Sequence, residues 1–409
     1  MIGTKKAYIS LLFSVFSLII VTSCSNLNGN KAFDNIYLKA RNSYRSNPDS
    51  SRIHLIEALS LASSDSEKGK ANYLLGVIFR ENNQFQDALS YYLIAKEFYS
   101  RTDNDRIIAD LNTRIGWIYN HFGMHQEAIH FYELAMAQYF KEKDYTWMGK
   151  IHYNLAIAYD AMDRPEAGDH YLKALDFSWE VADYYQLANI HNYFGGYLLK
   201  DSLYEGALKS FHFALEHKKD ALQKSYVYYN LADTYLRMNN LDSASFYWEE
   251  CYWIQKDFAT EATKNWTNTL LAKLYKAKGL HDDYKTTLEA IIRKSADTDY
   301  NKEVKSALYQ AWGDYLEADP KLSREIYASI GRMDSMHNKD VEKLKGQYNR
   351  HLVKQAENQV AWNRQKEELV AKQRNWAWLL IIPLGTLLFF IWRGNRRKKL
   401  AVSDSFDFQ

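Results

Sequence analysis

Residues 115–135 read IGWIYNHFGMHQEAIHFYELA, and their spacing decides the fold. A large residue, Ile115, precedes a small one, Gly116, and an aromatic, Tyr119, follows three positions later. After a short polar turn come Ala128, Tyr132 and Ala135, again at helical spacing. A small residue on the first helix lets a second helix approach closely. The first alanine of that second helix faces it, and the large residues fill the space between one helix pair and the next.

The same arrangement recurs on both sides. It appears as Leu75-Gly76, Phe79, Ala88, Tyr92, Ala95, and as Leu155-Ala156, Tyr159, Ala167, Tyr171, Ala174 with the turn one residue shorter. Further copies are Phe194-Gly195, Leu198, Ala207, Phe211, Ala214 and Leu231-Ala232, Tyr235, Ala244, Trp248, Cys251. A weaker copy is Leu271-Ala272, Tyr275, Tyr284, Leu288, Ile291, and a remnant surrounds Trp312-Gly313. The small positions Gly76, Gly116, Ala156, Gly195, Ala232 and Ala272 follow one another in steps of 40, 40, 39, 37 and 40 residues. An isolated amphipathic helix has no reason to keep such a register.

This pattern resembles the tetratricopeptide repeat (TPR), whose common period is about 34 residues. The resemblance covers roughly residues 69–294 and implies an all-α superhelical solenoid. The longer period is similar to that of TPR arrays in bacterial sensor and regulator proteins. It predicts longer helices or connections, with the excess after the second helix, as in 100–105 and 141–145. Residues 24–68 are read as a linker followed by capping helices, and 69–335 as an array of about six to seven helix pairs.

Both ends of the chain carry membrane signals. Lys5 and Lys6 precede an uncharged apolar run, Ala7 to Val21, as in a secretory signal peptide spanning residues 1–23. It ends in Val21-Thr22-Ser23-Cys24, which resembles a bacterial lipobox and makes Cys24 the expected lipidation site. An ordinary cleaved signal and an uncleaved helix are the alternatives. Residues 376–392, WAWLLIIPLGTLLFFIW, carry no charge and are expected to span a bilayer, with Trp376, Trp378 and Trp392 at its interfaces. Arg393, Arg396, Arg397, Lys398 and Lys399 follow, a basic flank that belongs on the cytoplasmic side. The expected location is therefore the cytoplasmic (inner) membrane of a bacterium, with the TPR domain in the periplasm and residues 393–409 as a cytoplasmic tail. Residues 336–375 are charged and Gln-rich, with apolar residues thinned to a narrow seam. They read as a long helical stalk, either solitary and solvated or paired in a homodimer. TPR array, charged helix, span and basic flank resemble the sensory half of bacteroidete-type TPR histidine-kinase or helix-turn-helix regulators, here without the output domain.

No catalytic residue, metal site or cofactor is expected. Lys and Arg number 52 against 50 Asp and Glu, so no global basic field points to nucleic acid. No phosphate-binding glycine loop occurs. His125 and His130 are five apart, wrong for a zinc-protease helix. The two cysteines, Cys24 and Cys251, provide no disulfide framework, and Cys251 stands at a small-residue core position. The sequon Asn265-Trp266-Thr267 needs a eukaryotic secretory route to act as a glycosylation acceptor.

What remains is binding. By the register that the resemblance implies, first-helix residues line the concave face: Tyr73, Arg80, Trp117, Asn120, Tyr153, Asp160, Asn192, Tyr229 and Asp233. Rings among amides and charges suit a protein or peptide ligand, although the same rings could simply pack between helices. The expectation is a non-enzymatic scaffold that binds a protein or peptide and touches membrane lipid. The alternative is a sensory component whose output lies on another chain.

Overall fold

The computed structural model describes residues 30–295, 302–347, 349–351, 353–354 and 357. Contacts divide the chain into two units, Met1–Leu344 and Lys345–Gln409. The expected signal peptide, Cys24, the span 376–392, the tail 393–409 and most of the stalk lie outside the described residues. Among the described residues, no helix is long and apolar enough to cross a membrane.

The first unit is a run of antiparallel helix pairs with no strand among its described residues. The first pair is α1 (Lys31–Ser43) and α2 (Pro48–Leu61). The second is α3 (Asp65–Glu81) and α4 (Phe85–Tyr99), and the third α5 (Asp105–His121) and α6 (His125–Glu142). Then come α7 (Tyr145–Ala161) with α8 (Glu166–Glu180), and α9 (Tyr184–Lys200) with α10 (Tyr204–His217). They are followed by α11 (Ala221–Arg237) with α12 (Leu241–Phe258), and α13 (Glu261–Ala277) with α14 (His281–Ser295). The last pair is α15 (Lys302–Tyr315) and α16, which occupies 320–344 of this unit. The long period is therefore built into helices of 14 to 18 residues joined by short connections.

Local signals set these boundaries. Side chains of Asn47, Asp144, Asp183, Asp220, Asn240 and Thr260 accept hydrogen bonds from backbone N–H groups at the starts of α2, α7, α9, α11, α12 and α13. Ser64 and Glu67 form a reciprocal capping box on α3. Within six pairs the turn uses a residue of positive φ: Asn83, Gly123, Asp163, Ser202, Asn239 and Gly279. Each stands seven residues after the small residue of its first helix, so the left-handed turn repeats in the same register. Asn, Asp and Gly tolerate this conformation best, which explains four polar residues at positions where Gly is not used.

The core follows the repeat. Tyr92, Tyr132, Tyr171 and Phe211 are wholly buried at equivalent positions of successive second helices. It is these rings, more than the facing alanine, that the small residue accommodates. A Cβ on Gly76 would lie 2.5 Å from the Tyr92 ring, and one on Gly195 2.6 Å from Phe211. On Gly116 it would meet Tyr132 at 2.7 Å and the Ala128 carbonyl at 3.1 Å. Burial of each such ring contributes on the order of 2–3 kcal/mol. In the last pairs aliphatic residues take over, with Leu288, Ile291, Leu308, Ile326 and Ile330 in one cluster.

Candidate functional site

The wall made by the first helices of the pairs carries the residues selected from sequence, and the structure separates them into two groups. From the fourth pair onward they are joined to the next first helix. Lys200 of α9 donates to Asp160 of α7 at 2.6 Å. Tyr153 of α7 meets Tyr193 of α9 edge-on at 5.5 Å. Asn230 of α11 donates to Asn192 of α9 at 3.0 Å. Tyr229 of α11 is buried and stacks on Trp266 of α13 at 3.9 Å. Asp233, also buried, accepts from Arg237 at 2.9 Å and lies 3.6 Å from Lys273 of α13. These side chains close the wall upon itself.

Nearer the N-terminus the first helices are joined as well, but beneath an open groove. Tyr73 donates to Asp110 at 2.6 Å, and Arg114 donates to the same carboxylate oxygen at 2.7 Å while lying over the Tyr73 ring. Burial, reinforced by the Asp110 charge, holds the Tyr73 phenol protonated well above its ordinary range. Arg106 of α5 bridges Glu142 and Asp144 across the third and fourth pairs and lies over Tyr139. Tyr139 in turn stacks on Trp147 at 5.1 Å. These groups form the floor of an open groove of about 550 Å³; their charges are paired, while the buried Tyr139 hydroxyl has no hydrogen-bond partner among the described residues. Its near side is one stripe of α1, Asp34, Tyr37, Leu38 and Arg41, spaced i, i+3, i+4, i+7. Lys70 and Ile107 complete the rim, and Tyr99 reaches in from the end of α4. Tyr99 can do so because Gly69 has no side chain; a Cβ there would be 2.8 Å from the ring.

The other selected residues stand apart from this groove. Trp117 is 37 % exposed, yet stacks on His121 at 5.4 Å and packs against Phe85 at 5.6 Å. Asn120 accepts from His125 Nδ1 at 2.7 Å, across its own turn. Arg80 lies 4.0 Å from Glu81. Of the nine selected positions only Tyr73 lines the groove. Asp34, Tyr37, Arg41, Lys70, Arg106, Asp110 and Trp147 were not found from sequence. The first pair lacks the repeat motif, so no register could be carried onto it. Arg106, Asp110 and Trp147 were within reach, since they lie on α5 and α7 one or more turns before the positions used.

Two neutral readings acquire a geometry. Cys251 is fully buried, and burial pushes its thiol up to about 12, so it is an inert core group. Asn265 of the sequon is buried within α13 and donates to the Ile291 carbonyl at 3.3 Å, so no transferase could reach it. Among the described residues no cluster of His, Cys, Asp or Glu is arranged to hold a metal ion.

Residues 225–258 match the family model of the tetratricopeptide repeat. No curated protein matches the sequence. The fold is similar to that of the apo quorum sensor NprR from B. thuringiensis, with a TM-score of 0.60 and 17 % identity over 80 % of this chain and 95 % of that one. NprR in complex with its cognate peptide NprX gives a TM-score of 0.56 at 18 % identity, covering 81 % and 98 %. The Rap protein complexed with Competence and Sporulation Factor gives 0.57 at 14 %, covering 83 % and 95 %. The described chain is an all-α solenoid with the tetratricopeptide-repeat fold, and residues 225–258 are such a repeat by sequence.

Proposed function

We propose that this chain is a non-enzymatic scaffold that binds a peptide, or an extended segment of a protein, on the inner wall of its first pairs. The observation that carries this reading is the open groove over Tyr73, Asp110 and Trp147. The charges of its floor are paired with one another, so it offers rings and aliphatic surface without chemistry aimed at a reacting bond. NprR, whose fold is similar, is known in complex with its cognate peptide NprX, and this supports a peptide ligand here. Signal, lipidated Cys24, span 376–392 and basic flank belong to this reading as expectations. They would hold the groove in the periplasm at the inner membrane, and the stalk would allow a homodimer. The test is crosslinking of the tagged chain at the surface of intact cells of its native kind. A partner lost in Ile107→Trp, which fills the groove, supports the reading. A partner retained there and in Trp117→Ala with Asn120→Ala sinks it.

One observation favours the sensory alternative. Helix α16 reaches back from the last pair to the turns of the second and third, where Gln86 donates to Asp340 at 2.8 Å. His337 and Asp340 line a cavity there with Phe85, His121 and Phe122, beside Trp117. The N-terminal half of α16 is held by buried Leu322, Ile326, Ile330 and Met333, whereas at the distal end a polar contact at Asp340 stands beside the buried apolar Leu344. An occupant near Trp117 would therefore bear on the helix that leads toward the C-terminus. A disulfide between Gln86→Cys and Asp340→Cys that leaves partner engagement and downstream response unchanged would exclude this route.

A further inference from the structure

The groove has a polarity that narrows its ligand; the argument rests on the peptide-binding reading above. Along α1 the stripe facing it begins with a carboxylate, Asp34, passes through Tyr37 and Leu38, and ends with a guanidinium, Arg41. Seven helical residues separate the two charges, about 10 Å along the axis. Lys70 of α3 adds a second cation to the rim. Among the described residues, none of Asp34, Arg41 and Lys70 is within ion-pair distance of an opposite charge. The deeper charges are different: Arg106 has Glu142 and Asp144, and Asp110 has Arg114. Asp34 and Arg41 also suit the dipole of their own helix. Lys70 does not share that explanation, because it sits in the first half of α3.

We propose that the groove takes a short free peptide of three to four residues, bound as a zwitterion with an apolar central side chain. Three extended residues also span about 10 Å, so an ammonium at Asp34 places the carboxylate at Arg41 and Lys70. The central side chain then rests on Leu38, Ile107 and the Tyr37 ring. The groove's volume is in the range that encloses a ligand of this size. A protein segment passing through would leave both rim charges without a terminus to meet, so the ligand's two free ends are what the site recognises.

The test titrates the full chain with Ala-Leu-Ala, Ala-Phe-Ala and Ala-Trp-Ala, each also as N-acetyl and C-amide forms, by calorimetry. Blocking either end is expected to weaken binding about tenfold. In Arg41→Ala with Lys70→Ala the preference for a free carboxylate should vanish while that for a free amine persists; in Asp34→Asn the reverse should hold. All three side chains are exposed, so the thermal transitions of the variants should match the parent. Equal binding of free and blocked forms would overturn the inference, as would a carboxylate preference that survives loss of both cations. Failure of every tripeptide to bind at millimolar concentration would overturn it too. The broader peptide-binding reading would still stand if the Ile107→Trp variant lost its crosslinked partner.

Discussion

The second and third helix pairs and the fourth to seventh are built on one repeat and both link successive first helices, yet only the earlier links lie beneath an open groove. In the later pairs Asp160, Asn192, Tyr229 and Asp233 reach across to the next first helix and are consumed there. In the earlier pairs Tyr73 bonds Asp110 and Arg106 bonds Glu142 and Asp144 beneath an open groove, while Lys70 and, on α1, Arg41 are left to solvent at its rim. The difference teaches that concave register alone does not mark a binding surface. Links between successive first helices run along the whole wall, and it is open for binding where the α1 stripe stands across a groove from them. Damage to the closed part should therefore appear as lost stability, and damage to the open rim as lost binding.

The closed wall can be broken at Asp233. Replacing it with Ala removes a buried carboxylate and leaves Arg237 and Lys273 facing each other without it. Arg237 and Lys273 are themselves partly exposed, so water takes over much of the lost pairing and the cost is about 1 kcal/mol. Chemical denaturation should show a loss of unfolding free energy of about that size in Asp233→Ala, whereas Lys70→Ala should lose less than about 0.5 kcal/mol. Equal losses would erase the distinction between the two regions.

Acid should separate them next. His152 of α7 and His170 of α8 place their Nδ1 atoms 2.9 Å apart, so one must donate and the other accept, and both cannot be protonated there. Burial, with His170 and Lys173 nearby, pushes His152 down to about 4; burial and His217 do the same to His191. A folded pKa below the unfolded value means that the unfolded chain binds protons first. The stability from these neutral imidazoles is complete above about pH 6.5 and is lost as pH falls toward 4. The expected loss by pH 5 is on the order of 2 kcal/mol, and it belongs to the fourth and fifth pairs. Hydrogen exchange at pH 7 and pH 5 should show α7–α10 losing protection before α3–α6. His152→Gln should reduce the pH dependence.

Much of the fold was legible because it is written in local register. Gly76, Gly116 and Gly195 stand under rings that the same count identifies, Tyr92, Tyr132 and Phe211. The positive-φ turns at Asn83, Asp163, Ser202 and Asn239 keep that count too, but mixed residue types hid them. The groove was less legible for a physical reason. It depends on how α1, which lacks the motif, stands against α3 and α5, and no spacing within one helix encodes that. Rings were equally ambiguous. Tyr229 and Tyr153 sit where an inward ring should, and only the presence of Trp266 and Tyr193 opposite them reveals that they pack.

The finest comparison concerns two asparagines taken from the same inner face. Asn120 bonds to His125 across its own turn, while Asn192 accepts from Asn230 on the neighbouring first helix. A partly buried neutral hydrogen bond contributes about 0.5–1.5 kcal/mol net, so each Ala variant alone is uninformative about where the energy lies. A double-mutant cycle resolves it. Asn192→Ala and Asn230→Ala should couple by about 0.5–1 kcal/mol in urea denaturation. The link should also tie the fifth pair to the sixth, so the double variant should broaden the unfolding transition. The Asn120→Ala and His125→Ala cycle should couple within the third pair and leave the transition sharp. Zero coupling at Asn192 would mean that the closed wall is held by its rings and ion pairs alone, with the amides as passengers.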